Sequence, residues 1–243
     1  MVFRSCMCYH TCNDTSRRPR QRGRFRKEVA IMGVEISLAG KNAVVTGGGG
    51  GMGRTTSMLL GQAGANVMVA DMDVAAAEKT AADIAAQFGV KTAFCKCDVT
   101  VKAEVDAMVE ATLKAFGRID ILNNIAGAST KVDFLEMPEE IYDFMMDVNA
   151  KGTFLVDQAV LRVMIPNKSG KIVNMSSMSG KEGYPTNIAY TASKFAVTGM
   201  TQAIAKYAAP YNINVNCVCP GIVHTRIWDK LLDDVKQAGG DPD

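Results

Sequence analysis

Tyr190 and Lys194 stand four residues apart in Tyr190-Thr191-Ala192-Ser193-Lys194. On a helix that spacing puts a phenol and an ammonium on one face, within reach of each other. A phenol with a pKa of about 10 is a poor base at neutral pH. A fixed cation beside it favours the phenolate and moves the group toward the range of a working general acid or base. The pair alone is common by chance. Ser177 raises its weight, because it lies thirteen residues upstream, just past the strand-like run Lys171 to Met175. That is the sheet edge where open α/β folds bind ligands.

A second cluster has the make-up of a phosphate site. Thr46-Gly47-Gly48-Gly49-Gly50-Gly51-Met52-Gly53 falls between a strand-like and a helix-like run. Missing Cβ atoms let the backbone there approach a pyrophosphate at a helix N-terminus. The five-glycine run satisfies two registers, Gly48, Gly50 and Gly53 or Gly47, Gly51 and Gly53, and the pattern alone leaves both open. Asp71 follows at the end of the next strand, where a carboxylate accepts hydrogen bonds from the ribose hydroxyls of an adenosine and repels a 2′-phosphate. No Arg or Lys lies inside the turn or directly after Ala70, which favours NAD over NADP. Asp98 ends the third strand in the same way, within reach of the adenine amino group, although an exposed loop aspartate accounts for it nearly as well.

These residues need a scaffold, and the apolar pattern supplies one. Strand-like runs at Asn42 to Thr46, Asn66 to Ala70, Lys91 to Cys97, Ile119 to Asn123, Lys171 to Met175 and Asn214 to Val218 alternate with helical stretches. The helices are expected at Met52 to Ala63, Ala75 to Phe88, Lys102 to Phe116, Glu139 to Ile165 with a break near Asn149, and Ala189 to Ala209. Strands alternating with helices of this length make a parallel sheet covered on both faces, a doubly wound, Rossmann-like α/β fold in one domain over 37–243. No internal repeat or linker marks a second domain.

Composition sets the outer bounds. The chain has 243 residues, 48% hydrophobic and 21% charged, enough apolar material for a sizeable core. Residues 1–31 hold eight basic side chains against Asp14 and Glu28, so this segment carries +6 of a chain total of +2 and the remainder carries −4. The segment reads as a disordered basic tail, with the working protein beginning near Met32. An acidic body without a basic stripe argues against nucleic-acid binding. No run approaches the roughly eighteen apolar residues of a membrane helix, and no secretory signal is evident, so a soluble, cytoplasmic protein is expected. Seven cysteines, an odd number, read as reduced thiols. Cys6, Cys8, His10 and Cys12 lack the spacing of a structural zinc site and read as tail residues. Cys95 with Cys97 and Cys217 with Cys219 share strand faces and are expected as small buried hydrophobes.

Taken in order, Thr46 to Gly53, Asn124-Ile125-Ala126-Gly127, Asn149, Ser177, Tyr190 with Lys194, and Pro220-Gly221 resemble the short-chain dehydrogenase/reductase family over about residues 38–225. The resemblance selects the register Gly47, Gly51 and Gly53. It implies an NAD-dependent enzyme moving a hydride between the cofactor and a secondary alcohol or ketone of the hydroxysteroid, polyol or cyclic alcohol class. It assigns Tyr190 as proton donor or acceptor, Lys194 as the group that lowers its pKa and holds the nicotinamide ribose, Ser177 as partner of the substrate oxygen, and Asn149 as anchor of a water chain. Met52, Val99, Asn124, Ala126, Gly127, Pro220, Gly221, Val223 and Thr225 join the glycines, Asp71, Asp98, Tyr190 and Lys194 around the cofactor. No metal is implied, and a homodimer or homotetramer is. Two departures stand out: Ile125 replaces the usual second Asn, and only 22 residues follow Gly221, where the family commonly has another helix and a last strand. Residues 226–243, with Trp228 and Leu231, read as the start of a lid, and the chain reads as a fragment or misread frame of a longer enzyme. Two rivals remain, a truncated, non-catalytic dinucleotide-binding protein and an NADPH-dependent 3-ketoacyl reductase.

Overall fold

The computed structural model describes residues 36–223. β1 (Asn42–Thr46) is buried at every residue, and its adjacent valines belong to different cores. Val44 packs with Met68, Val105, Leu122 and Val160, whereas Val45 packs with Val67, Val69, Ala77 and Ile84. Side chains alternate across a strand, so an unbroken apolar run requires helices on both faces of its sheet. The chain meets that requirement with α1 (Gly51–Gln62), β2 (Asn66–Asp71), α2 (Val74–Phe88), β3 (Thr92–Lys96), α3 (Lys102–Phe116), β4 (Ile121–Asn124), α4 (Glu139–Met145), α5 (Gly152–Met164), β5 (Gly170–Met175), α6 (Ile188–Ala208) and β6 (Ile213–Val218). The result is a single α/β domain with a six-stranded parallel sheet in the order β3-β2-β1-β4-β5-β6. The order reverses between β1 and β4, which opens a crevice at the carboxyl ends of those two strands.

Local chemistry sets the element ends. The Asp73 carboxylate caps α2 by accepting from the Ala76 N–H at 3.0 Å, and α2 and α3 stop at Gly89 and Gly117 in the left-handed region. The break expected near Asn149 is a π-helical turn, Met146–Lys151, that joins α4 to α5 without interrupting the path. Such turns widen a helix where a side chain is held from outside it.

The cysteine expectation is corrected. Of the four described cysteines Cys97 alone is buried, while Cys95, Cys217 and Cys219 are half-buried. For Cys95 and Cys217 the reason is position, because β3 and β6 are the outer strands of the described sheet and are less covered than the centre, and Cys219 lies just past the end of β6. Among the described residues no helix is long and apolar enough to cross a membrane. The tail 1–31, including Cys6, Cys8, His10 and Cys12, and residues Thr225, Trp228 and Leu231 lie outside the described residues.

Candidate active site

The glycine turn constrains its positions unequally. Gly47 and Gly51 have φ of 65° and 49°, a region that disfavours side chains, while Gly50 is extended at φ −147°. A Cβ on Gly53 would lie 1.9 Å from the Gly47 carbonyl oxygen. The backbone therefore demands glycine at Gly47, Gly51 and Gly53. α1 begins here with no capping side chain and no acid in its first turn, so no side chain offsets its N-terminal dipole. Asp71 supports the turn from β2, since its Oδ2 accepts from the Gly49 N–H at 2.8 Å and its Oδ1 from the Asp73 N–H at 3.0 Å. Two cations of the flanking helices are turned elsewhere: Arg54 and Lys79 both pair with Asp83, at 2.6 and 3.4 Å. An anion-friendly turn at a helix N-terminus fits a dinucleotide.

Across the crevice, Thr46 fastens the loop after β4. Its hydroxyl donates to Asn124 Oδ1 at 2.8 Å and accepts from the Ile125 and Ala126 N–H groups at 3.0 and 3.2 Å. Asn124 itself is buried, and its amide reaches toward Thr153 O and Asp157 Oδ1, both at 3.4 Å. Ile125, in the place of a second Asn, packs its side chain on the core that holds Val45. Asn149 fastens the next step of the loop. Its Oδ1 accepts from the Ala128 N–H at 3.0 Å, and its Nδ2 donates to the Ala128 carbonyl at 2.9 Å and to Ser193 Oγ at 3.1 Å. The widened turn of the preceding helix is thus pinned to both the loop and α6.

Tyr190 and Lys194 share a face of α6, as their spacing predicts, with the ammonium 5.6 Å from the ring centroid. Lys194 is buried, and its Nζ donates to the Met175 carbonyl at 2.8 Å. Burial pulls its pKa down to about 8, with the nearby Cys219 thiol acting in the other direction. Burial pushes the Tyr190 phenol above its ordinary value, and a side-chain hydrogen bond with Ser177 opposes that push. The direction is opposite to the one expected from a neighbouring ammonium. Desolvation of the phenolate outweighs a lysine whose own charge is disfavoured by burial. Ser177 ends up at the start of a short 3₁₀ turn, Met178–Gly180, and accepts from the Ser179 N–H at 3.1 Å.

A cleft of about 730 Å³ joins these parts, and Met52, Gly127, Ser177, Tyr190, Lys194, Pro220, Gly221 and Val223 all line it. A Cβ on Gly127 would sit 2.9 Å from Asn149 Oδ1 and 3.4 Å from Lys194 Nζ, so that glycine admits the lysine. Other expected residues lie off the cleft wall. Asp98 closes a turn through Thr100, accepting from its N–H at 2.9 Å and its hydroxyl at 2.7 Å. Val99 is buried in the core against Gly152, and Asn124 and Asn149 stand behind the loop they hold.

Sequence reasoning missed four polar supports. Thr46 is one. Ser176 donates to the Lys194 carbonyl at 3.1 Å and meets Thr198 Oγ1 at 2.8 Å. Asp157 and Asn174 form a buried pair, with Asn174 Nδ2 donating to Asp157 Oδ2 at 2.7 Å and to Thr201 Oγ1 at 3.1 Å. A polar side chain inside an otherwise apolar helical stripe, as at Asp157 between Val156 and Ala159, is the signal that would have found it.

A phenol, a hydroxyl and an ammonium converging in a crevice that begins at a glycine turn define a dinucleotide-binding α/β oxidoreductase. Comparison with known proteins agrees: the model of the short chain dehydrogenase family matches residues 41–236. The chain belongs to the short-chain dehydrogenase/reductase family. It is 38% identical to 5-keto-D-gluconate 5-reductase of Escherichia coli K12 over 82% of this chain and 78% of that one. It is 35% identical to 3-oxoacyl-(acyl-carrier-protein) reductase FabG of Chlamydia muridarum over 82% of this chain and 80% of that one. Among solved structures, NAD+-bound xylitol dehydrogenase superposes with a TM-score of 0.80 at 34% identity, covering 84% of this chain and 81% of the other.

Proposed function

We propose that this protein is an NAD-dependent dehydrogenase that interconverts a secondary alcohol and its ketone, with Tyr190 as the general acid and base. The observation that carries the reading is the convergence of Ser177, Tyr190 and Lys194 in one cleft with the uncapped end of α1. Gly47, Gly51 and Gly53 take the pyrophosphate, Asp71 the adenosine ribose, and Gly127, Pro220, Gly221 and Val223 surround the nicotinamide. Bound there, the nicotinamide supplies the hydride acceptor for alcohol oxidation and the hydride donor for ketone reduction.

The chain's own groups handle the proton. Tyr190, held protonated by burial, is set to donate to a nascent alkoxide in the reductive direction and takes the hydroxyl proton in the oxidative one. Ser177 hydrogen-bonds the substrate oxygen and keeps it against the phenol. Lys194 binds the ribose once it exchanges the Met175 carbonyl for that ligand, and its charge then favours the phenolate. Asn149 keeps the Ala128 backbone, and with it the cleft wall, in place.

Asp71 and the pairing of Arg54 and Lys79 with Asp83 support NAD. A second reading, an NADPH-dependent 3-oxoacyl reductase, draws on the similarity to FabG and is disfavoured by Asp71. Self-association in the cytoplasm is part of the proposal: a groove of about 390 Å³ between α5 and α6 exposes Phe154 and Tyr207, the kind of apolar face that a homo-oligomer covers.

Fluorescence titration with NADH and NADPH, followed by turnover of NAD with secondary alcohols, tests the reading. NADH is expected to bind more tightly, and Tyr190→Phe is expected to abolish turnover while NADH binding persists. Full turnover by that variant, or a preference for NADPH, overturns the proposal.

A further inference from the structure

Asp157 is a carboxylate placed where a carboxylate is costly. It lies on α5 and is fully buried, it has no ion pair among the described residues, and burial pushes its pKa up to about 7. Holding it ionised above neutral pH lowers the stability of the fold.

Its partners lie on two neighbouring strands. Asn124 and Asn174 face each other in register on β4 and β5, and Asp157 spans the pair. Asn174 Nδ2 donates to its Oδ2 at 2.7 Å, and Asn124 Nδ2 reaches its Oδ1 at 3.4 Å. Both strands deliver cleft residues just beyond these asparagines. β4 leads into Ile125 and Gly127, and β5 leads into Ser177 and into Met175, whose carbonyl accepts from Lys194 Nζ.

Acceptors decide which way each amide is turned. Asn124 Oδ1 accepts from the Thr46 hydroxyl, which leaves the Thr46 oxygen to accept from the Ile125 and Ala126 N–H groups. With that amide turned over, three donors would crowd the two lone pairs of Thr46, and the hydroxyl hydrogen would lose its acceptor. Asp157 Oδ1 and the Thr153 carbonyl, both at 3.4 Å, keep it the right way round. On β5, Asn174 Nδ2 has Asp157 and Thr201 Oγ1 as acceptors, while its Oδ1 has no partner among the described residues. A carboxylate accepts through both oxygens at once, whereas an amide of the same shape accepts on one side and donates on the other.

We propose that Asp157 is a positioning residue for hydride transfer: by accepting from Asn124 and Asn174 together, it fixes the loop after β4, on the nicotinamide side, against residues 175–177 after β5, on the substrate side. The inference rests on the dehydrogenase reading of the cleft and extends it to a side chain buried beneath the site. Asp157 acts through the two asparagines and takes no part in proton transfer.

The test compares the full chain with its Asp157→Asn and Asp157→Leu variants at about pH 8, by urea unfolding, by titration with NADH followed through nicotinamide fluorescence, and by reduction of cyclohexanone, ethyl acetoacetate and dihydroxyacetone. Both variants are expected to be at least as stable as wild type, because the buried charge is gone and each asparagine keeps one acceptor, Thr153 or Thr201. NADH affinity changes by less than about threefold, since the glycine turn and Asp71 hold the other half of the dinucleotide. The enhancement of nicotinamide fluorescence on binding falls in both, and kcat falls by about tenfold or more while KM for the ketone stays within about threefold. A variant that is more stable and a poorer catalyst separates positioning from support of the fold. Asp157→Asn, which keeps the shape, decides alone if Asp157→Leu does not fold.

Wild-type kcat and fluorescence enhancement in Asp157→Asn overturn the inference, as does a loss of kcat that only follows a loss of stability. Diminished enhancement in stable variants, with no ketone turned over by any of the proteins, sustains the positioning role and overturns the dehydrogenase reading instead. Turnover by wild type that both variants match does the reverse.

Discussion

Tyr190 shows why residue types at a given spacing do not settle a pKa. The helix delivers the ammonium to the phenol's side, yet burial raises Tyr190, and Ser177 is the neighbour that acts against the rise. In the ligand-free protein the phenol is expected to titrate above its ordinary value. Ser177→Ala removes the opposing hydrogen bond and should move it higher still, because the anion loses a donor that favoured it. Phenolate absorbance during an alkaline titration, taken as the difference between each protein and its Tyr190→Phe counterpart, isolates this one of the six tyrosines. A downward move in Ser177→Ala would exclude Ser177 as the donor. Asp71 permits a second test on the cofactor side. Asp71→Ser takes away the charge that repels a 2′-phosphate, so the ratio of NADPH to NADH affinity should rise by about tenfold or more. The same change deprives the Gly49 N–H of its acceptor, at a cost of about 1–3 kcal/mol in stability. An unchanged ratio would remove Asp71 from the ribose contact.

Elements translate such residues into a site, and the turn between β1 and α1 is the least forgiving of them. Gly53→Ala would drive a Cβ to 1.9 Å from the Gly47 carbonyl oxygen, a collision between two pieces of backbone with no flexible side chain to move. NADH affinity is expected to fall by more than about tenfold, and stability by about 1–3 kcal/mol, as for overpacked sites generally. Wild-type affinity in this variant would mean the turn is wider in solution. The strength of the constraint also explains how much could be read in advance. β1 and α3 end where the apolar pattern places them, and the two-sided cover of the sheet follows from the valines of β1. Tyr190, Lys194 and the glycines were legible because their chemistry depends on spacing within one element or one turn, and Ser177 because it stands just past a readable strand. The widening at Asn149 was not legible in form, since the clamp to Ala128 joins residues 21 apart. Thr46, Ser176, Asp157 and Asn174 escaped for the same reason: each works through contacts between elements distant in sequence. The half-exposure of Cys95 and Cys217 depends on which strands lie at the edge, and a run of residues does not carry strand order.

Asp157 belongs to the scale of the whole molecule, because it ties α5 to β4 and β5 under the cleft. It is fully buried, and its partners are amides: Asn174 Nδ2 at 2.7 Å and Asn124 Nδ2 at 3.4 Å. Burial is the larger effect and the two amides only partly offset it, so its pKa is pushed up to about 7. The linkage follows in sign. Below about pH 4 the carboxyl is protonated in folded and unfolded chains alike and pH has no effect through it. Between about pH 4 and 7 the unfolded chain gives up the proton while the folded one keeps it, so stability falls as pH rises. Above about pH 7 both forms are ionised and the loss is complete. Three units correspond to an upper bound of about 4 kcal/mol. Asp157→Asn keeps the shape and removes the charge, so the stability of the variant relative to wild type should climb across this window and level off above it. Urea unfolding of both proteins at several pH values measures that difference directly. A gap that stays constant from pH 4 to 8 would mean that the carboxyl is ionised throughout, with the amides of Asn124 and Asn174 holding a full negative charge beneath the cleft.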